Sequence, residues 1–285
     1  MMQEWFYKEY GFSVSNLLEP FRINDDVYNL LTVYDEKNLF FLNRLCISLA
    51  SLLNIPKVEI IPTYSGNLFS MYNSQKYVLI CGKESNLTLQ QFSYIIESSK
   101  GYFNMINLDK KRELWLKRSI HLEKEIVPWL PFKELCIETV ANLRLSFSLG
   151  ECAIAYLDTA QNKIIPGGLS HTRLSCLSNL EVLNPIMIVN DHIGRDIVSL
   201  YEADKINDYE ILDIIKNYSF SNDELIYLVA RLLFPARYYD FLEDMYISNS
   251  CEKHKEYNFR EEYERKRVLV KMIINEYHLP IIDWL

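Results

Sequence analysis

Two short stretches carry residue types that could do chemistry together. "SHTRLSC" runs from Ser170 to Cys176, and "VNDHIGRDI" runs from Val189 to Ile197. The apolar segment "PIMIVND" leads into the second and ends on Asp191. A His-led loop, an apolar strand and an Asp where the strand stops is the layout of a phosphoryl-transfer site. Such a site works mainly by positioning groups and neutralising charge. Glycine-rich backbone covers the phosphates, and a strand Lys held by a helix carboxylate grips them. A loop Asp takes the substrate hydroxyl proton, while an Asn and a second Asp hold Mg²⁺.

Each part can be sought in turn. Asp191 stands where the metal-binding Asp would be. Laying "HTRLSCLS" on H-G-D-x-x-x-x-N places His171 at the loop's start and Arg173 where the base should stand. A guanidinium stays protonated at neutral pH and cannot act as a base. The same register gives Ser178 at the Asn position, with Asn179 one residue late. No glycine occurs between Gly11 and Gly66, so a glycine-rich phosphate loop is absent. The helix expected from Asn38 to Leu53 contains no Asp or Glu, which leaves the strand Lys without its carboxylate. Lys37, just after the preceding strand, is the displaced candidate for a phosphate-binding cation. Plainer roles also exist for these residues. Asp191 reads as a turn or cap residue, His171 as a packed and hydrogen-bonded loop residue, and His192 as solvent-facing. Arg195 and Asp196 read as a structural pair, with Asp196 favourable at a helix start.

The elements that must position these groups change character along the chain. "VYNLLTVYD" (Val27 to Asp35) is β-branched and aromatic, as strands are. "NLFFLNRLCISLASLL" reads as a buried helix ending near Asn54 and Pro56. Lys57 to Gly82 reads as three strands split by turns at "SG" and "NSQ". After Gly82 long amphipathic helices follow. One opens near Pro131 and carries apolar residues around most of its circumference, as a central helix would. Ser221 and Glu224 have capping-box spacing, Pro235 should break the helix they start, and a last helix is expected from about Phe259 to Tyr277. This is an α+β pattern of two lobes, 1–82 and 83–285, with a cleft between them.

Composition excludes several classes. Over 285 residues, Lys+Arg number 30 against Asp+Glu 38, a net charge of −8 that argues against nucleic-acid binding. The basic stretches "KKREL" and "RKR" (Arg265 to Arg267) are interleaved with Glu and read as solvated helix faces. The scattered Cys have no zinc spacing, and read as reduced, mostly buried thiols. No stretch has the length of a membrane span and the start lacks a signal-peptide pattern, so a cytosolic protein is expected.

The motifs also carry a family resemblance. "NPIMIVNDHIGRDIVSLY", "YLVARLLFPARYYDFLEDMY" and "HLPIIDWL" resemble the spore-coat kinase-like proteins of endospore-forming bacteria, the CotS/YutH type. The elements D-H-x-x-R-D-I and A-R-L-L-F-P-x-x-Y-[FY] are most similar to the YutH branch, and "IIPTYSGNLFSMYNSQKYVLI" resembles its N-lobe hairpin. The resemblance implies a protein-kinase-like fold of the aminoglycoside and choline phosphotransferase kind, with a small antiparallel-sheet N-lobe and a larger, mainly helical C-lobe. It places His171 and Arg173 on the catalytic loop, Asp191 at the Mg²⁺ ligand and Asp196 at a structural second Asp. The expected function is that of a kinase-like pseudoenzyme, without cofactor, acting through contacts with spore coat proteins. It would be made in the mother-cell cytoplasm and then incorporated into the spore coat. The alternative is an active phosphotransferase that uses ATP and Mg²⁺ on a small molecule or coat protein, with another acid as base. A third reading, a helical binding protein unrelated to kinases, requires that the N-terminal third form no separate sheet.

Overall fold

Strand-forming residues in the first third of the chain build an antiparallel sheet. The computed structural model describes residues 2–33, 36, 38–99, 101–130, 137–248 and 259–284. The strands are β1 (Phe21–Ile23), β2 (Asp26–Val33), β3 (Val58–Ile61), β4 (Ser70–Tyr72) and β5 (Gln75–Lys83). Their order is β1-β2-β5-β3, with β4 also paired to β5. The expected "NSQ" turn is a tight hairpin between β4 and β5, with Asn73 and Ser74 at φ 48° and 65°. Both residues in the left-handed region match the right-handed twist of the flanking strands. This sheet removes the reading of a purely helical binding protein.

Both faces of the sheet are covered. Helix α1 (Met2–Tyr10) lays Phe6 and Tyr10 against Leu79, with Trp5, Phe12, Phe21 and Tyr28 around them. Phe21 and Tyr28, opposite each other across β1 and β2, stack with centroids 5.3 Å apart. On the other face Val58, Ile60, Val78 and Ile80 are also buried. Helix α2 (Leu39–Leu53) packs on β3, and the Asn43 side chain accepts the Ile60 N–H at 2.8 Å. It ends at Asn54 in the left-handed conformation, where the sequence placed its stop. Cys46, on its inner face, is fully buried, and burial pushes its thiol pKa up.

Compactness divides the chain into Met1–Phe103 with Gly168–Asp191, and Asn104–Gly167 with His192–Leu285. That line differs from the expected boundary at Gly82. Gly82 marks where strands give way to helices, but α3 (Leu89–Ser99) and the hairpin of β8 (Gly168–His171) and β9 (Ile188–Asp191) group with the sheet. One cause is visible at Ser99, whose buried hydroxyl accepts the Leu169 N–H at 3.4 Å.

The second unit is helical. Its pairs include α4 (Leu108–His121) with α5 (Ile137–Leu157), and α9 (Asn222–Leu233) with α5, α7 (Gly194–Glu202) and α11 (Phe259–Tyr277). A short strand pair, β6 (Ile106–Asn107) and β7 (Ile164–Ile165), joins the ends of α4 and α5. The expected helix start at Pro131 lies outside the described residues. α9 is the enclosed helix, with every residue from Leu225 to Ala230 buried. α5 buries one stripe instead, because Arg144, Ser148 and Glu151 face solvent on its other side. The chain breaks after α9 at Pro235, as expected, and α10 (Ala236–Ser248) follows. Phe234, Tyr238 and Tyr239 are core residues there, with Phe234 stacked on Trp115 at 4.5 Å.

The basic stretch Arg265 to Arg267 is a correction to the sequence reading. Lys266 is buried rather than solvated, held between Glu202 and Glu262, the latter at 2.7 Å. Burial pushes its pKa down, but the two carboxylates outweigh this and hold it above the ordinary lysine value. The i,i+4 spacing from Glu262 was visible in sequence; the approach of Glu202 from α7 was not. Removing the cation would leave two carboxylates buried together. Lys266→Met should therefore lower the unfolding free energy by about 3–5 kcal/mol. Urea denaturation would measure the loss, and adding Glu202→Gln and Glu262→Gln should recover most of it.

Candidate functional site

The His-led loop is built on the β8–β9 hairpin. Gly168 pairs with Asp191 and His171 with Ile188, and every residue of β8 is buried. His171 is fully buried, and its Nε2 lies 2.9 Å from the Val182 carbonyl in α6 (Asn179–Val182). A carbonyl can only accept, so this nitrogen carries the proton. His171 thus ties the end of β8 to α6.

The loop that follows is wrapped around a carboxylate the sequence reading did not single out. Glu181 accepts from the Ser175 N–H at 2.8 Å, the Ser175 hydroxyl at 2.7 Å and the Cys176 N–H at 3.1 Å. Burial pushes its pKa up, but these hydrogen bonds outweigh that and hold it below the usual carboxylate range. Arg173 is exposed on this loop, while Leu174 beside it is buried.

Ser178 and Asn179, the candidates for the loop Asn, both have backbone partners. The Ser178 hydroxyl accepts the Leu180 N–H at 3.2 Å and caps α6. Asn179 is fully buried. Its oxygen accepts the Ser85 N–H at 2.8 Å, and its nitrogen donates to Pro56 O and Lys83 O, each at 2.9 Å. The carboxylate of Asp191 is itself fully buried at the end of β9. Among the described residues, no three His, Cys, Asp or Glu side chains come together as a metal site. The donors present do not fit a loop-Asn-plus-Asp magnesium site, because the amide and hydroxyl that would complete it are engaged elsewhere. Lys37 lies outside the described residues. β2 carries no Lys or Arg, and α2 no Asp or Glu.

His192, the next residue after Asp191, belongs to the second unit and is 2% exposed. This corrects the expectation of a solvent-facing side chain. Its Nδ1 accepts the Gly194 N–H at 3.1 Å, so its Nε2 carries the proton and donates to Glu224 Oε1 at 3.1 Å. The ring meets Phe220 and Tyr227 edge-on at 5.2 and 5.5 Å. Gly194 keeps this contact unstrained, since a Cβ there would lie 3.0 Å from His192 Nδ1. The other oxygen of Glu224 closes the predicted capping box with Ser221. Capping-box spacing assigned Glu224 to its own helix end; its second oxygen reaching back 32 positions to His192 left no local signal. Arg195 and Asp196 both lie in the first turn of α7, where Asp196 is fully buried.

Burial raises the Glu224 pKa, but hydrogen bonds from His192 and Ser221 outweigh it and leave the pKa below the ordinary value. A depressed folded-state pKa gives stability that is present above the unfolded-state value and lost as pH falls through the depressed one. Glu224→Gln should therefore flatten part of the acid-side loss of stability in thermal melts across pH. His192→Ala, which strands the Gly194 N–H and removes the Glu224 donor, should cost about 1–3 kcal/mol at neutral pH.

Comparison with known proteins bears on these arrangements. The sequence matches the family described as "Spore coat putative kinase YutH" over residues 3–269. A search of curated proteins finds no match. Among solved structures, the chain is similar to an aminoglycoside phosphotransferase from Alicyclobacillus acidocaldarius. That match has 12% identity and a TM-score of 0.52, covering 95% of each chain. It is also similar to the spectinomycin phosphotransferase APH(9)-Ia in complex with ADP and spectinomycin, at 12% identity and TM-score 0.51 over 98% of each chain. The AMP-bound complex of that enzyme gives 13% identity and TM-score 0.51, covering 96% of this chain and 97% of that one. The fold is that of the aminoglycoside phosphotransferases, as expected. Among the described residues, no helix is long and apolar enough to cross a membrane.

Proposed function

The chain belongs to the YutH family of spore coat proteins, and from that membership we propose a kinase-fold protein without phosphotransferase activity that acts through protein contacts in endospore coat assembly. It would be made in the mother-cell cytoplasm and become part of the spore coat, with other coat proteins as its partners. The observation that carries the non-catalytic reading is at the position of the base. An exposed Arg173 stands there, and the carboxylate that serves the same loop, Glu181, already accepts from Ser175 and Cys176. A base must be able to take a proton from substrate, and a carboxylate held below its usual range by donors is poorly suited to that. The buried side chains of Ser178 and Asn179 support the same reading.

The rival reading keeps Asp191 as a Mg²⁺ ligand for ATP and takes its support from the ADP- and AMP-bound enzymes that share the fold. The two differ in simple measurements. Purified protein incubated with labelled ATP, Mg²⁺ and coat extract should transfer no phosphate. A strain carrying Asp191→Asn should assemble its coat as wild type does, whereas deletion of the gene should alter coat composition. Transfer that Asp191→Asn abolishes would establish the rival.

A further inference from the structure

The edge of the sheet where β5 leaves it is closed by a segment from far along the chain. On extended backbone, alternate residues direct their polar groups to the same edge. The groups on this edge are Lys83 O, the Ser85 N–H, Ser85 O and the Leu87 N–H. All of them are taken by residues 177–179. Leu87 N–H donates to Leu177 O at 2.7 Å and Asn179 N–H to Ser85 O at 2.9 Å, around an antiparallel bridge of Asn86 with Ser178. The Asn179 side chain then adds one more rung, accepting from Ser85 N–H and donating to Lys83 O.

That last rung has a particular chemistry. An acceptor oxygen and a donor N–H lie side by side in one plane, against a backbone N–H and C=O two residues apart. A nucleobase with an exocyclic amine next to a ring nitrogen presents the same edge, and adenine is the simplest case. A second donor hydrogen reaches Pro56 O, so the carboxamide satisfies three part-buried main-chain groups. Beside it, Leu180 packs directly on the sheet. A Cβ on Gly82 would lie 3.0 Å from Leu180 Cδ2 and 3.0 Å from Lys57 O, so Leu180 lies close against the strand beside the carboxamide.

We propose that residues 177–179 are a built-in occupant of this edge, with the Asn179 carboxamide holding the place of a planar ligand of the adenine class. This rests on the non-catalytic reading above and deepens it. The edge retains the groups that would recognise such a ligand, and the chain's own amide keeps it shut.

Thermal melts of wild type and Asn179→Ala, each with millimolar adenosine, test the proposal. Loss of the amide strands three part-buried groups, and Tm should fall by several degrees, about 3–6 °C. Adenosine should leave wild type unmoved and restore part of the loss in the variant. Adenosine dimethylated on its exocyclic amine lacks the donor and should restore none. A folded variant indifferent to adenosine, or equally responsive to the dimethylated form, overturns the occupant while leaving the non-catalytic reading standing. Phosphate transfer by wild type, measured separately, overturns that reading instead. If the variant does not fold, hydrogen exchange on wild type decides. The Ser85 and Leu87 amides should exchange as slowly as those of Leu79 and Ile80 and be unchanged by adenosine. Fast exchange, or a change on adding adenosine, overturns the proposal.

Discussion

The constraint on which the first unit depends is that main-chain groups shielded from water, even in part, must find partners. Pro56, Lys83 and Ser85 sit at the ends of β3 and β5, where the ladder has run out, and a side-chain amide from position 179 completes them. Leaving such groups unpaired costs about 1–3 kcal/mol each. That penalty holds residues 168–191 to a sheet made more than 80 positions earlier, although a helical stretch, 104–167, intervenes in the chain and belongs to the other unit. The His-led loop is positioned as a consequence. His171, Glu181 and Asn179 each hold backbone rather than one another.

Charge is distributed to match. The inner elements of the sheet unit, β2 and α2, carry no Lys–Glu pair with which to grip phosphate. The helical unit contains buried or half-buried charge networks instead. Lys266 joins α11 to α7 through Glu202, and Arg118 on α4 makes a bidentate pair with Glu243 at 2.9 and 2.8 Å while also meeting Asp240 at 2.6 Å. A bidentate guanidinium–carboxylate pair fixes orientation as well as distance. The charges thus set the placing of helices.

What the sequence disclosed follows the range of the forces involved. The β-branched and aromatic strands, the Asn54 helix end, the Ser221–Glu224 box and the break at Pro235 are decided within a few residues, and all were legible. So were the lack of glycine between Gly11 and Gly66 and the lack of Asp or Glu in the helix that ends at Leu53, because an absence needs no partner to be read. Asn179, His192 and Lys266 were not legible in their actual roles. Each is defined by a group 32 to 123 positions away, at Glu224, Glu202 and Pro56. A side chain read with only its neighbours is assigned to solvent or to a missing catalytic role. The membership of residues 168–191 in the sheet unit was hidden for the same reason.

These long-range bonds bear on how the motif itself should be interpreted. A residue that satisfies a buried group is held in place by stability, whatever the protein does. His171 serves Val182, Ser178 caps α6, Asn179 closes the sheet edge, and His192 joins Gly194 to Glu224. Replacing any of them leaves an unsatisfied polar group in the interior. Arg173 occupies an exposed loop position, where substitution ordinarily changes stability by only about half a kcal/mol. Arg173, at the position that the family resemblance matches to the base, thus differs from His171, Ser178 and Asn179 in being exposed. Burial of His171, Ser178 and Asn179 gives structural demand a hold on those three positions that it does not have on an exposed one.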